Sequence, residues 1–270
     1  MEALKCPLFA INEAGKLASA NWVMVIIGLV VGAIAFAIFW RTESRVREPL
    51  MPTSLLARRS TWALLLTSTL TMTGVFAVAN GLVISLAQND TDGFGMSADV
   101  AALVFLTTYA LAGWLFGPLS GRLAPTVGYR LVLRVGLVGS IVAILAMALV
   151  GVHSQPVMIA ATILLGIAYA GTANIMLNGL GIVLSPSGNP GFLPGLNAGA
   201  LNLGAGISFA ILPAMQVAFG GAQAGIVSYT GAMIAGAVIT AAALVVSFFI
   251  PRPASAEAVD RASIDTAKVS

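Results

Sequence analysis

Two amides set the chemical question. Asn174 and Asn178 lie four positions apart, so a helix through them carries both on one face, close to Gly171 and Tyr169. An amide has two donors and an acceptor, which suits it to grip a polar solute or to tie one helix to another. In a membrane the second use is the commoner, at about 0.6 to 2 kcal/mol per bond. Asn80, with Thr69 and Thr73, forms a similar polar stripe open to the same two readings. Arginines supply the other chemistry. Arg122, Arg130 and Arg134 crowd into a short stretch marked by Gly121, Pro125 and Gly128. Glycines there let two helix ends approach, and guanidinium groups can hydrogen-bond helix-end carbonyls and neighbouring charges. The same arginines would equally serve as plain markers of a cytoplasmic loop. Catalytic chemistry is not in view. His153 is a lone histidine next to Pro156, Cys6 is a lone cysteine, and no dyad, metal cluster or phosphate loop is visible. The expectation is a protein that is not an enzyme and takes no cofactor.

The elements that must hold these residues are membrane helices. The chain is 59% hydrophobic and 9% charged, where a soluble domain carries about 25% charged residues. From residue 135 through residue 251 there is no Asp, Glu, Lys or Arg. One crossing takes about 20 residues, so that run alone spans a bilayer several times. Membrane lipid is therefore a partner. The net charge of +3 does not point to nucleic acid, because the basic residues sit in loops, where they orient the chain. The first residues carry Glu2, Lys5, Glu13 and Lys16 and do not read as a cleavable signal peptide.

The fold expected is an all-α, multi-pass transmembrane bundle of seven helices, over 22–40, 61–87, 98–121, 131–151, 157–184, 193–219 and 226–250. Trp22 and Trp40 bracket the first, a placement that suits the two membrane interfaces. Ser97 with Asp99 signals the start of the third. Three parts follow: 1–60 with one helix and a linker, 61–250 with six helices, and a disordered tail at 251–270. The blocks 61–151 and 157–250, three helices each, suit a nested repeat. Arginines fill the 41–60 and 117–136 connections, and acids without bases occupy 88–97. By the positive-inside rule the chain lies in the cell membrane with its N-terminus outside and C-terminus in the cytoplasm, Lys5 and Lys16 being a mild violation.

With those features in place, the span from Gly121 through Pro125 and Gly128 to Arg130 resembles the loop motif of the major facilitator superfamily. Pro125 stands where that motif has its aspartate. Further stretches are similar to the fourteen-helix drug:proton antiporter branch. They are Asn12 to Lys16, Glu43 to Pro52, Gly93-Phe-Gly-Met-Ser97, Pro194-Gly-Leu-Asn197 and Gly204-Ala-Gly206. The resemblance covers nearly the whole chain, and only the C-terminal half of the family's architecture, from the tail of its seventh helix onward.

That resemblance implies roles for residues. Gly121, Arg122, Gly128 and Arg130 would form a gating loop that helps lock the cytoplasmic side. Asn174 and Asn178 would lie on a helix lining the central cavity, with Asn80 a third cavity candidate. Gly195, Gly199 and Gly206, with Asn197 and Asn202, would belong to a helix at the interface between halves. The branch keeps its coupling carboxylates in the N-terminal half, in keeping with the absence of Asp or Glu inside the six helices here. The function expected is part of a proton-coupled exporter of small amphipathic molecules, of the multidrug efflux type. It would be completed by a separate N-terminal half or by self-association. A non-transporting scaffold or accessory subunit that binds partner helices is the alternative, and a seven-helix receptor a weaker third.

Overall fold

The computed structural model describes Val30, Ile34 and Arg41 singly, and then residues 53–56, 58–186, 188–220 and 225–252. Six helices in it are long and apolar enough to cross a membrane. They are α1 (Arg59–Gln88), α2 (Ala98–Val127), α3 (Tyr129–His153), α4 (Gln155–Val183), α5 (Phe192–Gly220) and α6 (Ile226–Ser247). No strand occurs among the described residues. The expected helix at 22–40, the stretches at 12–16 and 43–52 and the tail beyond Arg252 lie outside the described residues, apart from Val30 and Ile34. At about 1.5 Å per residue, helices of 22 to 30 residues exceed the thickness of the hydrocarbon layer, which leaves room for tilt.

The helices pair in a pattern with an internal symmetry. α1 packs on α5 and α6, α4 packs on α2 and α3, and α3 packs on α6. Exchanging α1 with α4, α2 with α5 and α3 with α6 returns the same pairs. This is the arrangement that two blocks of three helices produce. α2 and α5 stand outermost: 22% and 17% of their apolar windows are buried, against 61% for α1.

Small residues close the seams. A side chain at Gly74 on α1 would place its Cβ 2.6 Å from the carbonyl oxygen of Gly236 on α6, and the reverse substitution meets Gly74 at 2.6 Å. A Cβ at Gly136 on α3 would likewise lie 2.8 Å from the Ala168 carbonyl oxygen on α4. With lipid outside as apolar as any side chain, such backbone approach is a main source of helix association. Leu64, Leu82, Phe105, Leu133, Ile144 and Leu177 fill the interior. Buried hydroxyls settle their bonds locally: Thr67, Thr71, Ser140, Thr162 and Thr240 each donate to the carbonyl four residues back.

Three stretches wind as π-helix, Val78–Leu82 in α1, Ala102–Thr107 in α2 and Gly166–Ala173 in α4. Such bulges free backbone groups, and in lipid a neighbour must take them up. Just before the first bulge, the Ala77 amide donates to Ser208 Oγ on α5 at 2.9 Å.

Two helix ends differ from the reading of the sequence. The segment read as a loop over 121–130 is helical as far as Val127, with Pro118 and Pro125 inside α2. Proline removes one backbone donor, a loss that membrane helices tolerate where other groups re-satisfy the freed carbonyl. The connection shrinks to Gly128, whose φ of +100° favours a residue without Cβ. Ser97 does precede α2, with Asp99 in the first turn, but its side chain makes no capping bond. The α1–α2 turn explains two more glycines. Gly93 packs too tightly against the Leu86 and Asn89 carbonyls for any side chain, and Gly95 has φ +59°.

Candidate functional site

Four polar side chains from three helices form a chain across the bundle. Ser68 Oγ on α1 donates to Asn197 Oδ1 on α5 at 2.5 Å, and both residues are fully buried. Asn197 Nδ2 then donates to the Leu177 carbonyl at 3.3 Å and to Asn178 Oδ1 at 3.5 Å, both on α4. Asn178 Nδ2 continues to the Asn174 carbonyl at 2.9 Å and to Asn174 Oδ1 at 3.2 Å. Asn178 is exposed and Asn174 half-buried. The Asn174 amide nitrogen ends the chain with no acceptor among the described residues. A sealed polar anchor thus leads outward to open donors on the face of α4, directly after its π-helical stretch.

The four-residue spacing correctly places Asn174 and Asn178 side by side. Asn197 is not on an open face: it is buried between α1, α4 and α5 and holds the inner end of the amide chain. Its partner Ser68 carries no signal that sequence reasoning could use, since a single serine in an apolar helix is commonplace. Thr69 and Thr73, read with Asn80 as one stripe, instead bond the α5 backbone, at Ala200 (3.3 Å) and Gly204 (3.2 Å). Asn80 stands apart in the α1 bulge, half-buried, donating to Phe76 O at 3.0 Å. A cavity of about 480 Å³ further along α1 is lined by Gly81, Ile84, Ser85, Gln88, Asn89 and Tyr229, without Asn80, Asn174 or Asn178.

The glycines of α5 divide. A Cβ at Gly195 or Gly199 would meet nothing within 4 Å, and Asn202 is exposed beside them. Gly206 is half-buried, and a Cβ at Gly204 would lie 2.5 Å from the Thr69 carbonyl oxygen. The arginine group divides too. Gly121 and Arg122 are exposed at the end of α2, whereas Arg130 and Arg134 turn into the bundle at the start of α3.

The model of the Major Facilitator Superfamily matches residues 10–209 and again residues 64–269. The chain belongs to the major facilitator superfamily. A curated relative, the uridine/deoxyuridine transporter of Lactococcus lactis subsp. cremoris (strain MG1363), is 49% identical over 217 residues. That match takes in 78% of this chain and 45% of the relative, so the chain spans about half the length of the protein it matches. As a member of that superfamily with six membrane-capable helices among the described residues, this is a multi-pass membrane protein.

Proposed function

We propose that the six helices form one half of a facilitator whose solute is small, neutral and recognised by hydrogen bonds, with a pyrimidine nucleoside as the best example. Asn174 Nδ2, unpaired among the described residues and beside the exposed Asn178 amide, carries this reading. A carboxamide offers a donor beside an acceptor, the complement of the imide edge of uracil. The kinship with a protein named for uridine and deoxyuridine supports the same class. Within the described spans the only carboxylate is Asp99, in the first turn of α2, so a cationic solute finds no countercharge beside the amides. In this reading a coupling acid, where one is used, comes from the other half. That half, a separate six-helix bundle or a second copy, meets the outermost helices α2 and α5, where Gly195 and Gly199 leave room for close approach. The arginine-bearing end faces the cytoplasm by the positive-inside rule.

Export of amphipathic drugs with proton exchange is the second reading, favoured by the Gly93 to Ser97 and Pro194 to Asn197 stretches. Uptake of labelled uridine separates the two, in cells without their own nucleoside uptake. The chain is expressed alone and with the part of the Lactococcus relative that the match leaves uncovered. Uridine uptake that needs both polypeptides, and falls in Asn174→Ala, supports the proposal. Dye efflux without uridine uptake replaces it with drug export. Association of the two polypeptides with neither activity favours the scaffold.

A further inference from the structure

Where α1 and α3 begin and α6 stops, four cations gather around one helix terminus. Arg59 Nε donates to the Phe249 carbonyl at 3.0 Å, and its guanidinium lies 5.7 Å from the centre of the Phe249 ring. Arg134 Nη2 donates to the Ser247 carbonyl at 3.3 Å, its guanidinium 4.1 Å from the Phe248 ring centre. Arg130 is within electrostatic reach of Arg134, Arg252 and Arg59. Trp62 completes the group, its ring 5.9 Å from Phe249.

Capping the end of α6 does not account for this much charge. A helix C-terminus carries about half a negative charge, and two of the arginines already bond its carbonyls. The described acids, Asp90, Asp92 and Asp99, all lie at the opposite end of the bundle, and none pairs with these arginines. Meanwhile Arg130 Nε and Arg134 Nε are buried with no acceptor among the described residues. Buried donors are normally satisfied, and charged ones cost most when they are not. Among the described residues, nothing supplies the group with an anion.

We propose that Arg59, Arg130, Arg134 and Arg252 bind the phosphate group of an anionic phospholipid headgroup between α1, α3 and α6. Phosphate oxygens accept paired bonds from guanidinium forks, and basic pockets between membrane helices suit acidic lipid headgroups. The rings beside the cluster decide between lipid and free anion. Trp62, Phe248 and Phe249 are 41%, 57% and 45% exposed, an apolar shelf that acyl chains cover and a free phosphate ion does not. The inference is independent of the solute carried.

Native mass spectrometry of the purified chain tests it, with phosphatidylglycerol or phosphatidylcholine added and inorganic phosphate as competitor. Phosphatidylglycerol is retained in preference to phosphatidylcholine, and millimolar phosphate does not displace it. Each arginine removed weakens retention about fivefold, so R130Q/R134Q loses roughly 25-fold, while R58Q, at an exposed neighbour outside the cluster, changes nothing. R252Q alters an exposed side chain and keeps the test open should the double variant misfold; its expected loss is about fivefold. Equal retention of the two lipids, or no loss in R252Q and R130Q/R134Q, overturns the proposal. Displacement by phosphate overturns it in favour of a free-anion site.

Discussion

The amide chain and the arginine cluster are both polar groups set in an apolar bundle, and they deal with the loss of water in opposite ways. From Ser68 through Asn197 to Asn178 each group meets its neighbour, and spare donors remain only at the exposed end. Around Phe248 and Phe249 like charges crowd together, and two buried Nε atoms have no acceptor among the described residues. The first region is held by the protein's own bonds and opens at one tip. The second keeps donors to spare among the described residues, where the proposed lipid phosphate binds. Buried polar groups in a membrane bundle therefore say most about function where their bonding stops.

Substitutions break this contrast in order of size. Asn197→Leu removes the acceptor of Ser68 and the donors to Leu177 and Asn178 at a fully buried site, and should cost about 1–3 kcal/mol in thermal or denaturant unfolding in detergent. Arg130→Gln should change the unfolding free energy by less than about 0.5 kcal/mol, because Arg130 Nε has no acceptor among the described residues. A double-mutant cycle between Ser68→Ala and Asn197→Ala isolates the innermost bond. Its coupling energy is expected near the 0.6 kcal/mol average for membrane helices and below about 1.7 kcal/mol. Asn174→Ala, at the open tip, should change stability by less than about 0.5 kcal/mol. It should lower uridine uptake by about two- to tenfold, the loss of one neutral hydrogen bond.

Much of the architecture was legible because lipid imposes simple rules. The charge-free run from residue 135 to 251 and the spacing of apolar segments located six helices to within a few residues. Asn174 and Asn178 were paired correctly because their relation is local, one helical turn. Asn197 reads from the sequence as a helix-interface candidate beside Gly195 and Gly199, because spacing within α5 cannot tell which side meets α1 and α4. The 121–130 stretch was read as a loop on the strength of Pro118 and Pro125, yet α2 continues through both to Gly128. Arg59 and Arg252 were legible only as loop charges. Their meeting with Arg130 and Arg134 depends on three helix ends coming together, which no local pattern encodes.

Thiol accessibility tests the central claim most directly. With Cys6 changed to Ser, single cysteines at positions 178 and 197 are exposed in native membranes to a small membrane-impermeant maleimide, and labelling rates are compared. The account predicts fast labelling at position 178, slowed by uridine when the other transporter half is present, and essentially none at position 197. Equal labelling at the two positions, or faster labelling at 197, would contradict an amide chain sealed at its inner end and open at its outer one.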